Sequence, residues 1–573
     1  MGASGVFRLF LSFLSKVVSG AYKRKSSGAT SCYGGDLLTQ LNEDVLYRIL
    51  EQVAVLSRHG HPGTLKTIST TCKRVRSCCL PLLFHTCCVW SSYKVNLPPE
   101  AIRPYVRHVR VINLFYSIDN LYACGYFHQD DMLIGQKYVV MDDPSQFGLE
   151  LDFFPALETV SFASAAGGVP WYAIKKCLDH PTVTSISIGE NSTWMCAPPP
   201  IPSDIPPHGC RLTHLSYTPS QWRETESVDY RTDLRPIYAL ESSYLRTLVL
   251  AMSNTAESLT LPAETAPLVE MANMDWPRLH TLSLIGRYAR PDQCDIIPLL
   301  LLRMPNLRFL SINVMQCEGM WRPPLLRGLP DTSYCLRSLT VSYPAPDDPI
   351  FSYIGDGLTF LSLRDSPRYY FQKRYGYRIL PAIFPILSAS ECLVILKRLS
   401  APQLSVLELV YQADTAEDEL LQYLPKAFPL LQELELHRYK ALPEENVPYL
   451  HIARTLTAVK YLRALYLNLD ITGSPLRPTW VCKDLDSDCG EQRDDWGVEI
   501  VEVLRTRETF EYVALLLHSR RAGFWALYRP PWCRHVRRIQ YDSPYRLDSD
   551  AFVYGRRIGF RRVPLAMAPP ALS

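Results

Sequence analysis

The amino-acid sequence predicts an α/β chain in which a short helical module precedes a long solenoid of strand–helix repeats. Three observations predict this. An alternating apolar triplet, Leu-x-x-Leu-x-Leu with conservative variants, recurs through most of the chain. Helix-like apolar stretches lie between its copies. Two short amphipathic segments, between Leu41 and Arg76, come before the first copy.

The chain has 573 residues and is 47% hydrophobic, too long for one ordinary compact domain unless the fold is repetitive. Its 60 basic and 57 acidic side chains leave a net charge of +3, which argues against wholesale binding of nucleic acid or anionic membrane. Seventeen cysteines are scattered among apolar segments without framework spacing, so a reducing, intracellular setting (cytoplasm, nucleus or both) is expected. The sequon Asn191-Ser192-Thr193 then carries no meaning.

Residues 1–34 form a leader. Its apolar stretch from Val6 to Val18 is broken by Arg8 and Lys16 and is shorter than the ~20 residues that cross a bilayer. Its charges follow the run, the reverse of a secretory signal. A disordered or partner-packed leader is expected, with an interfacial amphipathic helix as the alternative. No other segment is long and apolar enough to be transmembrane.

In the module (residues 35–90), Leu41, Val45, Ile49, Val53 and Leu56 share one helical face that Leu46 and Leu50 widen, with Asn42 at the N-cap and Glu43 and Asp44 in the first turn. His59-Gly60-His61-Pro62-Gly63 breaks the helix. A second helix is expected from Thr64, with Leu65, Ile68, Cys72 and Val75 on one face and Lys73, Arg74 and Arg76 near its end. Leu80-Pro81-Leu82-Leu83-Phe84 follows as a third short apolar element. Helices this short need partners to be stable in water.

The run Leu41-Asn42-Glu43-Asp44-Val45-Leu46, then Ile49-Leu50, then Leu65 with Ile68-Ser69, then Cys72-Lys73-Arg74-Val75-Arg76, resembles the F-box. That motif usually opens Leu-Pro-x-Glu-Ile/Val-Leu; here Asn42 replaces its proline and Asp44 its glutamate, and both still suit a helix start. The closing Leu-Pro-Leu-Leu-Phe is similar to the ending common in fungal F-box proteins. The resemblance implies a three-helix module that docks on a Skp-family adaptor of a cullin-RING ubiquitin ligase. It implies an adaptor-binding role for Leu41, Asn42, Val45, Ile49, Leu65 and Ile68, whose apolar members divide between interface and supporting core in a way the sequence leaves open.

From about residue 100 to 562 the triplet recurs. It begins at Leu157, Val183, Leu212, Leu245, Leu279, Leu307, Leu336, Leu358, Leu404, Leu431 and Leu462, at intervals of 22 to 34 residues with one of 46. Triplets at such spacing read as the strands of leucine-rich repeats, each unit burying its apolar face only by stacking on the next. Helical stretches are expected at 296–302, 417–428 and 447–459, on the convex side of a curved parallel sheet. They disfavour the alternative, a β-sandwich. No Asn or Cys recurs after the strands, so the repeats are irregular.

The remaining features carry little chemistry. A proline-rich loop lies at 198–207 and an acidic one at 475–496. An arginine-rich region with interleaved aromatics, 529–562, reads as a last repeat and cap ahead of a flexible tail, 563–573. Asp484 to Gly490 resembles a calcium loop but has Cys489 and Asp495 where the turn glycine and bidentate glutamate belong. Cys78-Cys79 and Cys87-Cys88 are adjacent pairs, unlike the spaced pairs of zinc knuckles. There is no phosphate loop, nucleophile elbow or metalloprotease motif, and no metal or cofactor is expected.

The expectation is therefore a non-enzymatic interaction protein: a ligase receptor that docks an adaptor through the module and a protein substrate through solvent-facing strand residues such as Arg246, His280, Arg308, Arg337 and Glu433. An adaptor-bound scaffold outside ubiquitination, membrane-associated if the leader binds lipid, is the alternative.

Overall fold

The structure, a computed structural model, describes residues 41–542 except 60–63, 91–96, 113, 116–150, 163–164, 167–168, 170, 190–209, 219–234, 288–292, 316–321, 323, 327–334, 367, 370–384, 443–445, 470–488, 507–508, 519–522 and 530–538. The leader, the tail, the loop at 198–207 and most of the arginine-rich region lie outside the described residues.

Three helices come first: α1 Glu43–His59, α2 Thr64–Ile68 and α3 Lys73–Leu83. Asn42 Oδ1 accepts the Asp44 N–H at 2.9 Å, satisfying one orphan donor of α1 while Glu43 and Asp44 complement its dipole. Helix α2 stops at Ile68 because the hydroxyls of Ser69, Thr70 and Thr71 donate to the carbonyls of Lys66, Thr67 and Ile68. A new helix then starts after Cys72, whose sulfur accepts the Val75 N–H.

Two expectations change as a result. Lys73, Arg74 and Arg76 open α3 rather than ending α2, and Leu80 to Leu83 close α3 instead of forming a separate element. Positive charge at a helix start is unfavourable. Arg74 offsets it by donating to the Leu41 carbonyl, and it lies 3.9 Å from Glu43.

The three helices bury their own core of Leu46, Leu50, Val53, Leu65, Ile68, Val75 and Cys79. Beyond it the strands are β1 Thr86–Trp90, β2 His108–Ile112, β3 Leu114–Phe115, β4 Thr159–Phe162, β5 Ala165–Ala166, β6 Ser185–Ile188 and β7 His214–Tyr217. There follow β8 Ser258–Pro262, β9 Thr281–Arg287, β10 Phe309–Met315, β11 Ser338–Ser342, β12 Phe360–Arg364 and β13 Leu387–Ser388. The series closes with β14 Val406–Gln412, β15 Glu433–Tyr439, β16 Ala464–Asn468, β17 Tyr512–His518, β18 Gly523–Tyr528 and β19 Ile539–Asp542. Apart from the small β3–β5 pair, they form one 17-stranded sheet. Pairing is parallel from β1 to β17, then antiparallel through β18 and β19. The sheet begins at Thr86, ahead of the first triplet near residue 157, because Cys87 and Val89 of β1 alternate without a leucine.

Helices intervene: α4 Trp171–Asp179, α5 Arg235–Ala251, α6 Leu268–Ala272, α7 Gln293–Leu302, α8 Ile350–Tyr353, α9 Ala389–Arg398, α10 Glu417–Ala427, α11 Tyr449–Leu456 and α12 Cys489–Leu504. The register never slips between the main strands. Leu282, Leu310, Leu339 and Leu361 stand side by side, as do Leu407, Leu434, Leu465 and Val513. These ladders and the apolar faces of α4, α5, α7, α9, α10, α11 and α12 make one continuous core.

Ten of the expected triplets end in strands of this sheet. Leu245-Leu248-Leu250 does not: it lies in α5, where Tyr244, Leu245, Leu248 and Val249 are buried at helical spacing. The strand of that repeat is β8, whose triplet Ala256-Leu259-Leu261 opens on alanine. Arg246 accordingly lies on a helix and pairs with Glu270, so it is not a strand-face residue.

Gly286 in β9 has φ +97°, and a Cβ there would meet the Glu264 carboxylate at 2.5 Å. Gly286→Ala is expected to lower stability by about 1–3 kcal/mol in chemical denaturation, from backbone strain alone. An unchanged midpoint would show that the end of β9 relaxes freely.

Candidate docking faces

The module divides its apolar residues between core and surface. Leu65 and Ile68 are buried, 5% and 4% exposed, and support the fold of the module. Val45 is 48% exposed. Ile49 and Leu41 are half-buried, Leu41 packing against the module core, and the Asn42 cap is exposed. Leu41, Asn42, Val45 and Ile49 thus lie along the outer side of α1 and its start, whereas Leu65 and Ile68 sit beneath. Helix α3 also touches the turn Glu100–Tyr105, which leads into β2 and ties the module to the sheet.

The second face is the side of the sheet opposite the leucine ladders. Between the two core positions, consecutive strands place Ser161, Ser187, Ser216, Thr260, Ser283, Ser311, Thr340 and Ser362 in one row. Short hydroxyl side chains keep this part of the face low and uncharged. At β2 the row gives way to the exposed Arg110, and His108 Nε2 on the same strand is 2.7 Å from Ser161 Oγ.

After Ser362 the row changes character, continuing as Glu408 and Glu435. Arg368 is 1% exposed and its guanidinium lies 3.0 Å from Asp365, 2.7 Å from Glu408 and 3.4 Å from Glu435. Ser362 donates to Glu408 at 2.6 Å, and His437 Nε2 is 2.8 Å from Glu435. Burial alone would raise the Glu408 carboxyl, but Arg368, Arg364, His437 and the Ser362 hydroxyl together hold it well below the usual range.

Beside this network lies an apolar patch of Val410, Tyr439, Ala514, Leu516, Trp525 and Leu527. The Trp525 ring stands 5.8 Å from His437 and 5.1 Å from Tyr466. The C-terminal part of this face is therefore filled by the chain itself. Within the hydroxyl row Ser161, Ser187, Ser216 and Ser311 keep partial exposure, whereas Thr260, Ser283, Thr340 and Ser362 are buried; Glu433 is exposed at the start of β15.

Glu408, Glu435 and His437 bring ligand atoms within 4.8 Å of one another, as a metal site would. The Arg368 guanidinium already sits between the two carboxylates, so the donor set is an ion-pair network. The sequence reading missed this network, although Leu407-Glu408-Leu409 and Leu434-Glu435-Leu436-His437 place charge on one face of neighbouring strands. Of the cysteine pairs, Cys79 packs in the module core, and burial, with Cys78 and Cys72 beside it, pushes its thiol up to about 12; burial also raises the half-buried Cys87, whereas Cys88 is exposed.

The ladder register and intervening helices define the chain as an α/β protein of leucine-rich-repeat type. No family model matches it, and no curated protein does. Among solved structures it is similar to the yeast Rad7–Elc1 complex, at 13% identity over 78% of this chain and 96% of that one, with a TM-score of 0.32. It is also similar to the leucine-rich repeat-containing protein LegL7 from Legionella pneumophila, at 11% identity over 63% and 83%, with a TM-score of 0.28. Both likenesses are too distant to assign a function. Among the described residues, no helix is long and apolar enough to cross a membrane.

Proposed function

We propose that this chain is a substrate receptor of a Skp/cullin/F-box ubiquitin ligase, docking the Skp-family adaptor through α1 to α3 and a protein substrate through the sheet. The observation that supports it most is the module itself. Three helices with the F-box-like sequence keep their own core, and Val45 stands exposed on α1. Leu41, Asn42, Val45 and Ile49 are the contact candidates; Leu65 and Ile68 hold those helices in place. The protein performs no chemistry and raises the concentration of substrate near the ubiquitin-carrying enzyme. Such a receptor works in the cytoplasm or nucleus.

The test is co-purification with the adaptor and cullin. Val45→Asp puts charge on an exposed position, so the module should stay folded while adaptor affinity falls by about 2–4 kcal/mol, as at an interface hot spot. A calorimetric titration that finds wild-type affinity for Val45→Asp, or a folded chain that binds no adaptor, removes the proposal. An adaptor complex that excludes the cullin favours the scaffold reading.

A further inference from the structure

We propose that the strand-start edge at Arg308 and Arg337 takes an acidic segment, rich in Asp or Glu, of the protein this chain recruits. The proposal rests on the receptor reading and names the chemistry its sheet would recognise.

The backbone stacks these residues on one another. The His280 carbonyl accepts the N–H groups of Arg308 and Phe309, both at 2.9 Å. The Arg308 carbonyl in turn accepts those of Arg337 at 2.7 Å and Ser338 at 3.1 Å. His280, Arg308 and Arg337 therefore occupy equivalent places on β9, β10 and β11, with strands spaced ~4.8 Å apart.

Elsewhere along the same edge charge is neutralised locally. Arg107 pairs with Glu158, Glu257 with Arg278 and Arg463 with Glu511. Arg308 and Arg337 are exposed, and among the described residues neither forms an ion pair. Phe309 is 44% exposed beside them, and the hydroxyls of Thr281, Ser338 and Thr359 border the same edge. Two uncompensated cations with an apolar ring and neutral donors make a surface complementary to an acidic, partly apolar segment.

Carboxylates fit better than a phosphate group. A phosphate cradle gathers backbone N–H groups or a helix N-terminus on one point. At this edge the N–H groups of Arg308, Phe309, Arg337 and Ser338 are already taken by the His280 and Arg308 carbonyls, so the two arginines stand without such a cradle. Each guanidinium fork is free to take one carboxylate, and two forks one strand apart suit two acidic residues of an extended segment.

The full-length chain is titrated at low ionic strength with three labelled peptides of one length: Glu-rich, Gln-rich, and a neutral one carrying phosphoserine. Expected is saturable binding of the Glu-rich peptide that weakens with salt. It should fall about tenfold in Arg308→Ala/Arg337→Ala but not in Arg107→Ala, whose arginine is already paired. Wild-type affinity in the double variant, no binding of the Glu-rich peptide by the folded chain, or binding of the phosphoserine peptide alone overturns the proposal. Adaptor capture is measured on the same preparations. A chain that holds the Glu-rich peptide through these arginines yet binds no adaptor removes the receptor reading and leaves this site standing.

Discussion

Replacing Arg368 with methionine is expected to destabilise the chain by about 3–5 kcal/mol, read as an earlier transition in urea. Methionine keeps much of the apolar stem, so the loss isolates the charge. Without the guanidinium, Asp365, Glu408 and Glu435 face one another on a nearly dry surface, with Arg364 left as a buried cation acting on Glu408. Glu408 is held below its ordinary range in the folded state, so its contribution is present above the unfolded carboxylate range and is lost as pH falls. The penalty of Arg368→Met should therefore shrink in acid, where the stranded carboxyls take up protons. Adding Glu408→Gln and Glu435→Gln should recover most of the loss at neutral pH, because buried charge is costly mainly when one partner is removed. A single variant that unfolds at the wild-type urea concentration would show that water, not Arg368, balances these carboxylates.

That network also marks where sequence reading stops. The core side of the sheet was legible because it obeys a period: leucines at the triplet positions meet leucines on the next strand with no register slip. The reading failed where a residue broke the period for a physical reason. Ala256 is small, so the strand of β8 was hidden while the leucines of α5 mimicked it. Val106-Val109-Val111 and Phe510-Val513-Leu515 have the spacing with a single leucine between them, and all six side chains are buried. The other face has no such period. Arg368 finds Glu435 67 residues later, a pairing set by strand order and by no local pattern. In the module, helical spacing could not tell exposed Val45 from buried Leu46, neighbours on opposite sides of the same boundary.

Acidification should weaken the fold between pH 6.5 and about 4, before most carboxylates are protonated, and His108 is the main reason. Burial, with His85 and Arg110 adding positive charge nearby, lowers its imidazole from 6.5 to about 4. The unfolded chain therefore takes up this proton first as pH falls, so stability drops through the window, by roughly 3 kcal/mol at about pH 4. His180 and His214 are lowered by burial as well and push the same way. His108→Gln removes the titration while keeping a polar partner for Ser161. The variant should be less stable than wild type near neutrality and should close that gap, or cross it, as pH falls. A stability difference constant across the window would sink the assignment to His108. Glu408 acts lower on the scale, since its loss begins only as the unfolded carboxylate range is entered. The two ends of one face are thus separable by pH: Ser161, where the hydroxyl row starts on β4, answers to the neutral imidazole of His108, and the ionic row at β14 and β15 to charges kept in pairs.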